Sequence, residues 1–242
     1  MIPRFHCPFP LAPGAHVELP EQAARHALKV LRMKAGDTII LFDGRGGEWR
    51  AEILGAGGTA RAALKEFTPR DLESPLPVTL VQALPAGDKM DWVVEKCVEL
   101  GVTAIQPVAA KRSVIRLSAE RMARRVAHWN AIAAAACEQS GRNHVPLVAP
   151  VLDLPQYLAA AMAQNALRLM LAPLAPTSFR TLAKPTQPII AMIGPEGGWE
   201  EGEILAAQAA GFCLMQLGPR VLRTETAGAA VLASLQTLWG DF

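Results

Sequence analysis

The chain has 242 residues, of which 51% are apolar, 19% charged and 5% aromatic, and its formal net charge is +2. Those values suit a soluble globular protein of one large or two small domains and exclude a disordered, collagenous or coiled-coil chain. No apolar stretch reaches the roughly 18 residues a spanning helix needs, because Arg168 and the Ala-Pro-Leu-Ala-Pro run interrupt the most apolar region, so no membrane role is expected.

Residues 1–72 read as β structure. Met1 to Cys7 holds no apolar run of signal-peptide length, and one predicted helix, Glu21 to Arg32, precedes a series of strands. Thr38–Phe42 is followed by Asp43-Gly44-Arg45-Gly46-Gly47, then by Glu48–Leu54, Gly55-Ala56-Gly57-Gly58 and Thr59–Phe67. Asp-Gly and Gly-Gly turns between short apolar runs are hairpin signals, which predicts a small β-barrel or sandwich. Glu73-Ser74-Pro75-Leu76-Pro77 then fixes two φ angles and removes two donors, as a domain boundary would.

From Val78 the pattern changes. Val78–Leu84, Ala104–Val108, Leu167–Leu171, Ile189–Ile193 and Leu214–Leu217 are continuous apolar runs alternating with helices, the mark of parallel strands buried on both faces. The helix after the first run has Met90, Val93, Val94, Cys97 and Val98 on one face, Asp88 at its N-cap and Gly101 as its stop. The next helix turns Met122, Val126, Trp129, Ala133 and Ala136 inward, leaving Arg121, Arg124, Arg125 and His128 outside. The last turns Ala227, Ala230, Val231, Ser234, Leu235 and Leu238 inward.

Charge is unevenly spread. Residues 111–142 carry seven basic and two acidic side chains, a local +5 on a near-neutral protein. Such a cluster is the footprint of a face that meets a polyanion, although a merely solvated helix face gives the same pattern. The four cysteines (Cys7, Cys97, Cys137, Cys213) are dispersed without a C-x-x-C pair, which favours a reduced, cytoplasmic setting with no disulfide framework and no metal.

Three segments hold residues suited to chemistry. Ile189 to Glu201 is a buried strand, a turn Gly194-Pro195-Glu196-Gly197-Gly198 and the acidic start of a helix ending at Gly211. Glycines there let backbone N–H groups approach a ligand, and ligands of open α/β sheets bind at the carboxyl ends of strands. Neither the dinucleotide string nor the phosphate-loop string occurs, and Glu200, Glu201 and Glu203 would repel a phosphate. A plain strand-to-helix turn is the competing reading. Leu214 to Ala227 is another strand, then Gly218-Pro219 and a loop in which Arg220 and Arg223 flank Val221 and Leu222. Those arginines are costly to desolvate unless they bind something, with an Arg223–Glu225 ion pair as the alternative. Cys137 to Pro146 closes the basic helix with a donor-rich loop, or with an ordinary cap at Gly141.

The ordered strings Pro3-Arg4, V-L-R-M-K-A-G-D (30–37), L-F-D-G (41–44), K-M-D-W-V-V-E-K-C-V-E-L-G-V (89–102), K-R-S-V (111–114), E-Q-S-G-R (138–142), I-G-P-E-G-G (193–198) and L-G-P-R-V-L-R-T-E-T-A (217–227) span nearly the whole chain. Together they resemble the RsmE-type 16S rRNA uracil-N3 methyltransferases of the SPOUT class. The resemblance implies a PUA-like RNA-binding β-barrel over 1–72 and an α/β SPOUT methyltransferase domain with a parallel sheet and C-terminal trefoil knot over 73–242. It also implies a homodimer. S-adenosyl-L-methionine would bind through Leu171-Ala172-Pro173, Gly194 to Gly198, and Leu217, Gly218, Arg220 and Leu222. The partner would be 16S rRNA of the small ribosomal subunit.

The reaction so implied is an in-line transfer from an already activated sulfonium to N3 of an unpaired uracil, for which no metal is required. An arginine near O2 or O4 would stabilise the anion, and Arg223, Arg142 and Arg4 are the candidates. Glu225 would accept the proton or, as its place beside Arg223 favours, orient that arginine. RNA would be held by Lys111, Arg112, Arg121, Arg124, Arg125 and Arg142. The rival readings are a non-enzymatic RNA-binding adaptor, a small-molecule α/β enzyme, and a SPOUT enzyme acting on a ribose 2′-oxygen.

Overall fold

The turn-forming glycines and β-rich runs of the first part build a five-stranded sheet, seen in a computed structural model that describes residues 2–55, 60–113, 118–173 and 175–242. The predicted turn residues Ala56, Gly57 and Gly58, the strand start Thr59, and Val114 of the K-R-S-V string lie outside the described residues.

The strands of this unit are β1 (Arg4–His6), β2 (His16–Glu18), β3 (Thr38–Phe42), β4 (Glu48–Gly55) and β5 (Arg61–Thr68), in the order β1-β3-β4-β5-β2. β3, β4 and β5 form an antiparallel meander, β1 adds to β3 in parallel, and β2 is antiparallel to β5. Phe5, Ile39, Leu41, Ile53 and Ala62 face a common core into which helix α1 (Glu21–Arg25) sends Ala23. The expected single helix to Arg32 is corrected. After Arg25 the backbone widens into a π turn over His26–Val30, with the Leu31 N–H donating to His26 O, and Arg32 ends it at φ +55°. The wide turn rephases the chain so that Ala27 stays buried while Leu28 and Met33 pack at the core edge. Compact contacts join residues 134–145 to this unit.

The second unit comprises residues 74–133 and 146–242. Its strands are β6 (Val78–Ala83), β7 (Ala104–Ala109), β8 (Leu147–Val148), β9 (Leu152–Asp153), β10 (Leu167–Leu171), β11 (Thr177–Ser178), β12 (Ile189–Ile193) and β13 (Cys213–Gln216). They form an all-parallel sheet ordered β11-β13-β10-β12-β6-β7-β8, with β9 also on β7. β12, apolar throughout, is buried at every position, as a central parallel strand must be. The helices are α2 (Lys89–Glu99), α3 (Ala119–Ser140, residues to Ala133 in this unit), α4 (Leu154–Ala161), α5 (Glu201–Ala209) and α6 (Thr224–Trp239).

The helix faces follow the periodicity with two corrections. On α2 all five expected residues are buried and Gly101 turns the chain at φ +82°, but Asp88 caps through its carbonyl, which accepts the Asp91 N–H, and not through its side chain. On α6 the buried stripe is Thr224, Ala227, Gly228, Val231, Leu232, Leu235 and Gln236, so of the residues expected inside Ala230 and Ser234 are half-buried and Leu238 is exposed. Gly228 lies within this stripe, facing Gln82 and Leu80 of β6 and Cys97 of α2. On α3 Trp129, Ala133 and Ala136 are buried, whereas Met122 and Val126 are half-buried. Cys7, Cys97 and Cys137 are buried thiols and Cys213 an exposed one. Among the described residues no helix is long and apolar enough to cross a membrane.

Candidate functional site

Because β13, β10, β12 and β6 are adjacent and parallel, the segments leaving their carboxyl ends converge. A cavity of about 570 Å³ opens there, lined by Leu171 to Pro173 after β10, Gly194 to Trp199 after β12, and Leu217, Gly218 and Arg220 to Thr224 after β13. Lys89, the first residue of α2, reaches it from the β6 side. The three loops named from the sequence therefore share one cavity, and Arg223 lines it as well.

Side-chain hydrogen bonds to strand-end carbonyls hold the loops. The Trp199 indole Nε1 donates to Leu171 O (3.2 Å), joining the β12 and β10 loops. Thr224 Oγ1 donates to Gly194 O (2.5 Å) and accepts from Gln82 Nε2 (2.9 Å), fixing the start of α6 against β12 and β6. Glu196 Oε1 accepts from the Ala86 N–H (3.0 Å) and from Lys89 Nζ (2.7 Å). Burial pushes the Glu196 carboxyl up, but Lys89 and the backbone donors outweigh it and hold the group below the ordinary carboxylate range. The same hydrogen bond raises the Lys89 ammonium.

Glu200, Glu201 and Glu203 do not face the cavity as an anion screen. Glu200 is the N-cap of α5 in a reciprocal capping box with Glu203, and buried Glu203 also accepts the Lys111 N–H (2.9 Å). Lys111 Nζ pairs with Glu200 (3.2 Å) and Arg112 Nη1 donates to Gly197 O (2.8 Å). Both side chains, read from the sequence as RNA contacts, thus brace the glycine loop. A Cβ at Gly197 would stand 3.1 Å from Arg112 Cβ, so a side chain there requires Arg112 to shift.

Glu225 does not orient Arg223. Its ion pair is with Lys89, at 3.8 Å, so the expected Arg223–Glu225 pair gives way to one that spans α6 and α2. Arg4 and Arg142 do not line the cavity; they belong to the first unit. Arg4 pairs with Glu48, donates to Asn143 Oδ1 (2.6 Å) and stacks over Phe42, while Arg142, 5% exposed, pairs with Glu73. On α3, Arg121 and Arg124 are exposed, Arg124 pairs with Glu120 one turn away, and Arg125 donates to Gly87 O (3.4 Å). Sequence reading missed Lys89, Trp199 and Thr224. Lys89 and Thr224 stand within the resemblance strings and Trp199 one position beyond the 193–198 string, but only strand order puts the three at one cavity.

Residues 72–236 match the RNA methyltransferase domain family, and residues 19–61 match the RNA methyltransferase PUA domain. A relative from Synechocystis, ribosomal RNA small subunit methyltransferase E, is 36% identical over 93% of this chain and 74% of its own length. The chain belongs to the ribosomal RNA small subunit methyltransferase E family. The family's member from Bacillus subtilis is 32% identical over 88% of this chain and 87% of its own. The Neisseria gonorrhoeae member, solved bound to S-adenosyl methionine, superposes with TM-score 0.93 at 42% identity over all of both chains. A Legionella pneumophila protein solved in complex with the same cofactor gives 0.95 at 34%, again over all of both chains. Among the described residues no group of three or more His, Cys, Asp or Glu side chains could hold a metal ion.

Proposed function

We propose that this chain transfers the methyl group of S-adenosyl-L-methionine to N3 of a uridine in 16S rRNA of the small ribosomal subunit. The observation that carries the reading is the cavity at the ends of four adjacent parallel strands, in a chain of this family. Its size, its apolar wall of Leu171, Met215, Leu217 and Leu222, and its charged rim of Lys89, Arg220 and Arg223 fit a zwitterionic amino acid joined to a nucleoside. The 171–173, 194–198 and 217–222 loops would hold it, and when bound it supplies a methyl group on an activated sulfonium.

The chain's own residues do the rest. The apolar wall excludes water, and the bonds through Trp199, Thr224 and Arg112 fix the loops before the reactants arrive. Arg223 stabilises the negative charge that develops on a uracil oxygen as N3 loses its proton. Glu225 is a positioning residue, its carboxylate 3.8 Å from the Lys89 ammonium, which donates to Glu196. Residues 1–72 form the PUA-like barrel and 73–242 the SPOUT domain with its trefoil knot, in a cytoplasmic homodimer.

The test is methylation of undermethylated small-subunit rRNA followed by nucleoside mass spectrometry. The product expected is 3-methyluridine; a 2′-O-methyl nucleoside, or none with cofactor bound, overturns the reading. In Gly197→Val the added methyls displace Arg112, and affinity for S-adenosyl-L-methionine falls about ten-fold, the usual scale of forced overpacking. Unchanged calorimetric affinity in the folded variant removes the 194–198 loop from the binding site. Replacing Arg121, Arg124 and Arg125 together by Ala weakens rRNA binding and flattens its salt dependence, because fewer counterions are released. Equal salt slopes for variant and wild type mean that this face of α3 does not touch RNA.

A further inference from the structure

The first unit has a cavity of its own, of about 340 Å³, where the turn between β3 and β4 meets the aromatic residues of β4 and β5. We propose that it is a pocket for one unpaired nucleobase of the RNA strand, built by Trp49, Phe67, Asp43 and Arg45. The proposal rests on the rRNA reading above and adds a contact site on the unit that carries no methyl-transfer cavity.

The rings come first. Trp49 and Phe67 are directly opposed in the antiparallel register of β4 and β5, with centroids 5.1 Å apart and planes inclined by 51°. Phe67 is nonetheless 47% exposed, in a chain with only 5% aromatic residues, most of whose rings lie in the core. The backbone is shaped to keep it there. Gly47 turns at φ +70° directly beneath it, and a Cβ at that position would sit 2.3 Å from Phe67 Cζ. A glycine that makes room for a ring which then stays half in water is costly for folding alone and sensible for a stacking platform.

The polar groups suit the edge of a base and its flanking phosphate. Asp43 is held at the turn by accepting the Arg45 N–H (3.1 Å) and the Leu11 N–H (3.4 Å), and its remaining lone pairs can accept from an imino or exocyclic amino group. Arg45 lines the same pocket, is exposed, and has no carboxylate within ion-pair distance among the described residues. A π face, a fixed acceptor and an uncommitted guanidinium are the elements with which proteins take single-stranded RNA.

The experiment measures binding of the full-length protein to a short mixed-sequence single-stranded RNA carrying 2-aminopurine, and to a duplex of the same length, across a salt series. Phe67→Leu, which keeps the apolar volume without the π face, is expected to weaken single-strand binding about ten-fold with an unchanged salt slope, and to leave 2-aminopurine less quenched. Phe67→Tyr is expected to bind as wild type. Arg45→Ala is expected to lower the salt slope by about one unit. Duplex affinity should be unaffected by Phe67→Leu. If Phe67→Leu binds the single strand as tightly as wild type, or weakens duplex and single strand equally, the pocket is overturned while the rRNA reading stands. If the wild-type protein binds neither RNA in a salt-dependent way, the rRNA reading fails and the pocket with it.

Discussion

Arg223→Lys lowers single-turnover methylation by about 100-fold, the scale on which one aligned charge-stabilising donor is lost. Arg223 lines the cavity at the position just before α6, with its backbone extended (φ −64°, ψ 151°), on the loop leaving β13. Lysine keeps the charge but loses the planar fork that can hold two acceptors at once. The structure sharpens the expectation, since Glu225 is engaged with Lys89 and the guanidinium of Arg223 is not tied down by it. Affinity for S-adenosyl-L-methionine should change little. A structural Arg223 would instead lower thermal stability and cofactor affinity together, and near-normal turnover would remove it from the catalytic residues.

Arg4→Leu destabilises the first unit by about 3 kcal/mol, because it leaves the Glu48 carboxylate buried without its main partner. The two side chains are 8% and 10% exposed, and Asn143 and Phe42 complete the surroundings of the guanidinium. Urea unfolding measures the loss, and adding Glu48→Leu should restore part of it, since two apolar groups need no pairing. The acid limb carries the same information. Burial pushes the Glu48 carboxyl up, but Arg4, Asn143 and Arg70 prevail and hold it below its ordinary value. Its folded-state value is thus lower than its unfolded one, so its stabilisation is present at neutral pH and is lost as pH falls through the lowered value. The double variant should lack that limb. A catalytic Arg4 would lower turnover while leaving stability intact.

What could be read in the sequence was what short-range physics controls. Ile189–Ile193 is a continuous apolar run and Val78–Ala83 a mostly apolar one broken only by Thr79 and Gln82, the pattern expected of strands buried on both faces of a parallel sheet. The glycine-bearing loops after β12 and β13 follow from the strand ends, so two of the cavity's walls are legible from the residues, and the third, Leu171 to Pro173, from the resemblance alone. Leu238 is exposed because a 3.6-residue period fixes a stripe only to within a residue's rotation, and the stripe buried in the fold runs through Gly228, Leu232 and Gln236. The charged residues were hardest. Lys111 and Arg112 read from the sequence only as polyanion contacts, because Glu200 and Gly197, the groups they also engage, stand more than 80 positions away. The Arg142 ion pair spans 69 positions and Arg4–Glu48 spans 44, distances at which no periodicity operates. Three-residue β1 and the π turn after Arg25 left no pattern long enough to detect.

The placement of the four thiols gives the chain a built-in reporter of its own breathing. Cys213 is exposed and reacts with a thiol reagent at once, giving an internal reference, whereas Cys97 lies under Gly228 of α6, and burial drives its thiol far above the ordinary range. Its labelling must wait for α6 to leave α2, so its rate under native conditions measures the opening free energy of the helix that begins at Thr224. Cys7 and Cys137 lie in the first unit, with thiols raised to about 12 by burial, and time that unit's opening in the same tube. Peptide mapping of the modified cysteines would therefore resolve two local stabilities in the unmodified protein, and would register whether a ligand at the cavity slows Cys97 while leaving Cys7 and Cys137 untouched.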